Sequence, residues 1–322
     1  MNDLRWFAPN AYTRLLTDEL RRQGLSIALE GSEPARAALS MSGTTALGAW
    51  RYARRVGCPL VLYIWDLPPK ATGSGSYDPV WSLAGALIRL PKLTGGFRRR
   101  RGYYSRLRYI ASCADEVWTP SSMTADLLRD RFGLNSRRVP YCYDSHRFTR
   151  RNQTRDLPPT LLTVGRFKPH KNQLATLKAA SRVGRNVQVR LIGRGPDAAT
   201  LERTARALGV RCRVETGADD AAVADAYRAA QVAVCPSRFE GFGLAPVEAV
   251  ASGTPVVASD IPPHREFVGA VARMFPLDDD DALTEAVVRA LDDGSPDPGA
   301  VLDLSITAAA ERFSSCLRPL LR

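Results

Sequence analysis

The sequence is poor in the residues that build metal sites and disulfide frameworks. Its 322 residues include six cysteines and only three histidines, and no two cysteines have the Cys-x-x-Cys spacing. This composition argues against a structural zinc site and against a disulfide-stapled secreted domain. We therefore expect free thiols, a cytosolic location and no bound metal ion.

Long apolar runs are also missing, since no stretch reaches about 18 consecutive apolar residues. The first residues lack the pattern of a signal peptide. We expect no membrane span, while peripheral attachment to the inner face of the plasma membrane stays open. With 45% hydrophobic residues the chain can bury two cores, and its length favours two domains.

Lysine is scarce, so the positive charge of the chain is nearly all arginine. Residues 1–150 hold 23 Lys and Arg against 12 Asp and Glu, a net +11, which leaves +1 of the total +12 for residues 151–322. Arginine suits phosphate and carboxylate recognition, although arginine usage can also reflect genome composition. We expect the first half to meet an anionic partner.

Arginines alternate with aromatic residues over Gly95–Tyr109 (GGFRRRRGYYSRLRY), and Val80–Leu90 adds a tryptophan and aliphatic side chains. Three interpretations are open: a solvated helix face, a surface for anionic membranes or acidic acceptors, and a nucleic-acid patch. No nucleic-acid fold signature accompanies the segment, so we expect no nucleic-acid partner. Val80–Tyr109 is our candidate membrane-facing segment.

Strand patterns and helix patterns alternate through the second half. Strands are predicted near 160–166, 187–193, 212–216, 231–236, 255–259 and 273–277, with a helix after each. This alternation predicts a parallel sheet covered on both faces. The polar stretch Arg150–Pro159 separates it from the first half, so we predict domains at 1–150 and 151–322.

The most informative stretch is Ser237–Ser259 (SRFEGFGLAPVEAVASGTPVVAS). The glycines around Phe242 let backbone N–H groups approach a ligand, and the helix that Pro246 begins directs its positive end the same way. This combination predicts an anion site. Glu240 and Glu248, with seven residues between them, bracket the loop, and their carboxylates suit sugar hydroxyls better than phosphate.

A second motif, Leu161–Asn172 (LLTVGRFKPHKN), is an apolar strand followed by Gly165-Arg166 and then Lys171 at a helix start. Arg166 and Lys171 could compensate the charge that grows on a departing diphosphate. In the first half, the buried-strand pattern Pro59–Trp65 ends at Asp66. That aspartate would face the ligand crevice of an open α/β sheet, or else would only form a turn before two prolines.

At these motifs the chain resembles the retaining glycosyltransferases of family 4, which have the two-domain GT-B architecture. The family signature is two glutamates separated by seven residues in an EGFG context. The resemblance covers most of the second half, and in the first half it rests mainly on Ala114–Leu128 (ADEVWTPSSMTADLL). It implies an α/β fold of two Rossmann-like domains that face each other across a cleft, with the last helix, about 306–321, returning to the first domain.

The resemblance also implies residue roles. Arg166 and Lys171 would hold the diphosphate, and Glu240 would contact the donor sugar as the third catalytic residue. The implied donor-binding residues are Glu248, Gly165, Gly241, Phe242, Gly243, Leu244, Gly193 and Arg194. The implied reaction is retaining transfer of a hexose-like sugar from a UDP- or GDP-type donor, without a cofactor or metal, in bacterial polysaccharide, glycolipid or related glycoconjugate synthesis.

One stretch departs from the family pattern. Family members carry a glycine-rich turn after the first strand, whereas this chain has Phe7–Ala11 (FAPNA). Asn10 could take over part of that role, and we place it with Asp66 on the side of an anionic or lipid-linked acceptor. The departure favours an alternative function, a catalytically weak nucleotide-sugar-binding partner subunit.

Two further motifs do not indicate the sites that they suggest at first sight. Asp278–Asp281 contains Asp-x-Asp, but the helix pattern after it makes the aspartates an N-cap and an acidic first turn. Gly193-Arg194-Gly195 lacks the third glycine of a dinucleotide motif, so we place it beside the nucleotide base instead.

The membrane interpretation predicts salt-sensitive binding to anionic vesicles. Each arginine near an anionic leaflet contributes about 1 kcal/mol, so changing a run of four arginines to serine should abolish most sedimentation with phosphatidylglycerol liposomes. The run is Arg98, Arg99, Arg100 and Arg101. If the parent protein binds neutral and anionic liposomes equally well, the segment is ordinary solvated surface.

Overall fold

The computed structural model describes residues 1–7, 11–29, 33–42, 45–65, 70–71, 77–78, 106–151 and 154–322. The chain divides into two compact units. The first consists of Met1–Tyr141 and Ile306–Arg322, and the second of Cys142–Ser305. The division follows Tyr141, earlier than the boundary that we predict at residue 150.

The first unit contains a six-stranded parallel sheet in the order β2-β1-β3-β4-β7-β8. Its strands are β1 (Asn2–Phe7), β2 (Ile27–Ala28), β3 (Ala35–Ser40), β4 (Leu60–Tyr63), β7 (Glu116–Thr119) and β8 (Arg137–Arg138). A short antiparallel pair, β5 (Lys70–Ala71) and β6 (Tyr77–Asp78), lies outside this sheet. The helices are α1 (Ala11–Arg22), α2 (Ala46–Val56), α3 (residues 106–112) and α4 (Ser122–Phe132).

The second unit contains another six-stranded parallel sheet, in the order β11-β10-β9-β12-β13-β14. Its strands are β9 (Thr160–Val164), β10 (Gln188–Ile192), β11 (Cys212–Glu215), β12 (Val232–Cys235), β13 (Val256–Ser259) and β14 (Arg273–Phe275). Its helices are α5 (Gln173–Arg182), α6 (Ala198–Ala207), α7 (Asp220–Ala229), α8 (Leu244–Ala251), α9 (Pro262–Val268) and α10 (Asp280–Leu291). The strands predicted for the second half are all present, with ends that differ by a residue or two.

The order of the second sheet is the doubly wound order of nucleotide-binding folds, in which the strand order reverses between the first and fourth strands. Here those strands are β9 and β12. All residues of β12 and β13 are buried, because helices cover both faces of the sheet. The core combines sheet and helix side chains, among them Leu161, Val189, Val234, Val257, Leu177 and Val287.

The final helix, α11 (Ile306–Leu317), completes the core of the first unit. The buried ring of Phe313 stacks on Tyr63 with centroids 5.6 Å apart. The same ring meets Trp118 edge-on at 5.5 Å. Arg312 also donates a hydrogen bond to the carbonyl oxygen of Pro140 at 3.0 Å. Aromatic packing and this hydrogen bond therefore hold the end of the chain to the unit that contains its beginning.

In the second unit, the loops that follow β9 and β10 touch backbone to backbone. The amide of Gly165 donates to the carbonyl oxygen of Ile192 at 2.9 Å. A Cβ at Gly193 would lie 1.9 Å from the carbonyl oxygen of Gly165, closer than any real side chain can approach. Glycine at position 193 is therefore required by the close approach of these two loops.

Gly193→Ala should destabilise the protein, because the new methyl group forces one loop backbone to move. We expect a loss of about 1–3 kcal/mol, the range for overpacked sites, measured as a lower melting temperature by calorimetry. Gly217→Ala is the matched control, since a Cβ there meets nothing within 4 Å. Equal melting temperatures for the two variants would contradict the close approach.

Candidate functional site

The candidate site lies at the carboxyl ends of β9 and β12, between which the strand order reverses. Ligands of doubly wound sheets bind in the crevice at this point. The loop 165–172 leaves β9 and the loop 236–243 leaves β12. The topology therefore brings together the two motifs that the sequence singles out.

Lys171 and Glu240 join these two loops. The Nζ of Lys171 donates to Oε1 of Glu240 at 2.6 Å, and the two side chains are only 20% and 13% exposed. Burial acts to raise the pKa of the Glu240 carboxyl, but the charge of Lys171, with hydrogen bonds from Lys171 and Ser237, holds that pKa below its ordinary value. Glu240 is therefore an ionised carboxylate and a strong hydrogen-bond acceptor.

Each member of this pair keeps capacity for a ligand. An ammonium group has three N–H donors, and the bond to Glu240 uses one of them. A carboxylate has two oxygens, of which Lys171 contacts Oε1. A ligand with an anionic part and a hydroxylated part can therefore meet both side chains without breaking the pair.

His264, a residue that our sequence analysis missed, lies beside the same loop. It is 1% exposed, and its Nδ1 lies 2.9 Å from the carbonyl oxygen of Ser259. Because a carbonyl oxygen only accepts, Nδ1 donates this bond. Burial lowers the pKa of the imidazole by more than the charge of Glu240 raises it. The ring is therefore neutral at physiological pH, and Nε2 is an acceptor.

The Nε2 atom of His264 is buried and has no hydrogen-bond partner among the described residues. A Cβ at Gly243 would lie 3.4 Å from it, so this acceptor packs against the residue that caps α8. The sequence offers one signal, the rarity of histidine in this chain. No motif spacing marks the position.

Helix α8 begins with Gly243 as its N-cap, at a φ of 94° that favours glycine. It begins two residues before Pro246, which lies in the first turn, where its missing N–H costs little. Glu248 lies one turn into the helix and is 5% exposed. Phe242 is buried too, with its ring centroid 4.4 Å from that of Phe267, so its side chain packs rather than faces solvent.

The remaining residues predicted to bind the sugar nucleotide lie on the loops that follow β9, β10 and β12, or at the start of α8. Gly241 and Leu244 are partly exposed, and Arg166 and Arg194 are exposed. The Nε of Arg194 donates to the carbonyl oxygen of Thr216 at 3.1 Å. Gly165 and Gly193 form the backbone contact described above. Lys171, Glu240 and Gly243 thus lie together around His264, and none of the contacts described here involves the Arg166 guanidinium.

Several predicted features lie outside the described residues. These are Asn10, Asp66 and most of the segment Val80–Tyr109. The described end of that segment is helical, with Leu107 buried and with Arg106, Arg108 and Tyr109 exposed.

The aspartates at the start of α10 cap the helix and form its acidic first turn, as the sequence predicts. Asp279 accepts from the amide of Ala282 at 2.8 Å, and Asp280 pairs with Lys178 at 2.8 Å.

In the part of the chain that the structure describes, no three His, Cys, Asp or Glu residues are grouped so as to hold a metal ion. No helix within that part is long and apolar enough to cross a membrane.

Comparison with solved structures shows the fold. Anabaena HepE in complex with UDP and glucose aligns with a TM-score of 0.66 at 13% identity, covering 100% of this chain and 97% of that one. Sucrose-phosphate synthase from Thermosynechococcus elongatus aligns with a TM-score of 0.64 at 21% identity, covering 89% and 71%. Together with the two parallel sheets, these neighbours confirm the predicted GT-B fold class.

Comparison of sequences adds relatives and a family model that match part of the chain. A phosphatidyl-myo-inositol mannosyltransferase of Mycolicibacterium smegmatis is 37% identical over 141 residues, which cover 42% of this chain and 36% of that enzyme. An MMP alpha-(1->4)-mannosyltransferase of Mycolicibacterium hassiacum is 32% identical over 205 residues, which cover 61% and 50%. The chain thus spans half or less of the length of these relatives. Residues 158–293 match the family Glycosyl transferases group 1. Over these residues, which lie in the second unit, the chain is similar to the group 1 glycosyltransferases.

Proposed function

We propose that the protein is a retaining glycosyltransferase that moves a hexose-like sugar from a nucleoside diphosphate sugar to an acceptor. The observation that carries this proposal is the Lys171–Glu240 pair, which lies at the strand-order reversal of the second unit and beside the N-terminal end of α8. A cation, a carboxylate and a helix N-terminus at one point suit a ligand that is part diphosphate and part sugar.

The diphosphate would bind between the α8 N-terminus and the cations. Backbone N–H groups of Gly243 and Leu244 favour an anion there, helped by the helix dipole. Lys171 adds its remaining N–H donors, and Arg166 supplies a second positive charge from the same loop. These groups would compensate the charge that grows on the diphosphate as its bond to the sugar breaks, so no metal is needed for that step.

The sugar and ribose would be held by acceptors, because hydroxyl groups donate. Glu240 offers its carboxylate, and neutral His264 offers Nε2, which is otherwise unpartnered among the described residues. We assign Glu248 to the ribose and Gly193-Arg194 to the base. In this scheme the bond from the anomeric carbon to the diphosphate breaks and a bond to the acceptor oxygen forms. The proton of the acceptor hydroxyl passes to the departing diphosphate, and no covalent enzyme intermediate is required.

The acceptor is proposed to be anionic or lipid-linked. Residues 1–150 carry a net +11, and the Mycolicibacterium smegmatis relative is named for a phosphatidyl-myo-inositol substrate.

The sequence Phe7–Ala11, which lacks the family's glycine turn, favours the alternative of a partner subunit that binds nucleotide sugar with little turnover. Formation of a labelled product from a labelled donor distinguishes these two functions.

Glu248→Gln should weaken nucleoside diphosphate binding while keeping the shape of the side chain. Loss of charge-assisted hydrogen bonds to ribose is expected to cost about 1.5–3 kcal/mol, or roughly 10- to 150-fold in Kd. Calorimetry measures this Kd for whichever of UDP and GDP raises the melting temperature. Glu285→Gln, at a 64% exposed side chain on α10, is the control. An unchanged Kd in Glu248→Gln would refute the ribose assignment.

Lys171→Met should lower turnover about 100-fold, by analogy with the loss of one donor to a developing oxyanion. Arg166→Met should act in the same direction, and EDTA should leave the parent enzyme unaffected. Lys178→Met is the matched control, since Lys178 pairs with Asp280 on a helix of the same unit. Activity that EDTA abolishes and manganese restores would overturn the proposal that these cations suffice.

Lys171→Met also leaves Glu240 without its cation, so a loss of stability must be separated from a loss of catalysis. The double variant Lys171→Met, Glu240→Gln removes both charges and should recover most of the lost melting temperature but none of the turnover.

A further inference from the structure

The first unit contains a second cationic site, remote in sequence from the residues discussed above. It is a cavity of about 320 Å³ between β1 and α2. Three arginines, two aromatic rings and one glycine line it: Arg5, Arg51, Arg55, Phe7, Tyr52 and Gly48. No carboxylate is among these lining residues.

The local structure explains why these side chains meet. Arg5 and Phe7 are two residues apart on β1, so they lie on the same face of the strand. The lining residues of α2 recur at helical spacing from Gly48 to Arg55, so they lie on one face of that helix. The order of the first sheet reverses between β1 and β3, and α2 follows β3. Phe7, the last residue of β1, lies against Gly48, so one end of the cavity is at the carboxyl end of this strand, where open α/β sheets bind ligands.

Arg5 is the residue that calls for an explanation. It is only 9% exposed, and its Nε and Nη1 atoms are buried without a hydrogen-bond partner among the described residues. Its guanidinium lies 5.2 Å from the centre of the Phe7 ring, a contact that leaves the N–H groups unsatisfied. A guanidinium cannot lose its proton in a protein, so burial cannot be relieved by neutralisation.

The acidic residue nearest in sequence is engaged elsewhere. Asp3 accepts from the amide of Ser26 at 3.0 Å and lies 4.0 Å from Arg36. The other two cavity arginines add charge of the same sign, and Arg55 lies 5.7 Å from the centre of the Tyr52 ring. The cavity thus concentrates positive charge around unsatisfied, preorganised donors.

We infer that this cavity binds a phosphate group, carried by a small phosphate ester or by a phospholipid headgroup. Arginine presents paired N–H donors that match phosphate oxygens, and three guanidinium groups can neutralise more than the single charge of a carboxylate. The volume has room for a phosphate with an attached organic group, which the two aromatic rings would cover. The site belongs to the first unit and does not depend on the donor residues of the second.

The test uses the full chain and compares Arg5→Met with the parent protein. Inorganic phosphate or glycerol 3-phosphate is added against sodium chloride at equal ionic strength, and the melting temperature is read. Phosphate can also bind near α8. We therefore compare the phosphate-induced rise in melting temperature between the parent protein and Arg5→Met. We expect phosphate to raise the melting temperature of the parent by about 2 °C or more beyond its effect on Arg5→Met.

A second variant guards against misfolding of the first. Arg51 and Arg55 are exposed, so Arg51→Ser with Arg55→Ser should fold normally and weaken glycerol 3-phosphate binding by about tenfold or more. Arg54→Ser is the matched control, because Arg54 is an exposed arginine of the same helix that does not line the cavity. It should bind as the parent does.

The outcomes separate the two sources of phosphate. Binding to phosphatidylglycerol vesicles that is lost in Arg5→Met, without binding of glycerol 3-phosphate, identifies a headgroup site. Binding of glycerol 3-phosphate that is lost in the same variant identifies a soluble ester. Equal stabilisation of the parent and Arg5→Met by phosphate, or no binding by either source, would overturn the inference. Neither result bears on Glu248 or Lys171, so it leaves the proposed transferase function standing.

Discussion

The ion pair between Lys171 and Glu240 is the contact on which the candidate site depends, because it ties the loop after β9 to the loop after β12. A largely buried ion pair is a poor way to gain stability, since desolvation of the charges offsets much of their attraction. Apolar residues of similar size would hold the loops at least as well. The pair is better explained by what it offers a ligand: one cation and one anion, side by side, each with unused hydrogen-bonding capacity.

His264 extends the same argument. Its Nδ1 is fixed by the carbonyl oxygen of Ser259, and this fixes Nε2 as a buried acceptor against Gly243. A buried acceptor without a donor costs free energy, unless a ligand supplies the donor. Glu240 and His264 would together prefer a neutral, hydroxyl-bearing group, while Lys171 and the start of α8 prefer an anion. The site is therefore divided into two chemically different halves, as a sugar diphosphate is.

Much of the second unit could be predicted because its signals are local. Strands covered on both faces are continuous apolar runs, as in β12, and Asp279, directly before an acidic and apolar helix, marks the start of α10. The direct contact of Lys171 with Glu240 could not be predicted, since the two lie 69 positions apart and meet only because β9 and β12 are neighbours in the sheet. His264 was missed for the same reason: its importance comes from what packs on it, and no local pattern encodes that.

Charge balance also explains why Arg5 is more informative than the arginine-rich stretch that dominates the sequence. In the second unit positive and negative residues are nearly equal in number, and pairs such as Arg185–Asp292 and Arg273–Asp293 join them. Residues 1–150 have too few carboxylates for this, so many arginines must face water or meet an external anion. An exposed arginine does not distinguish these outcomes, because water satisfies it fully. A buried arginine does, because its unpaired donors lower stability until an anion binds them.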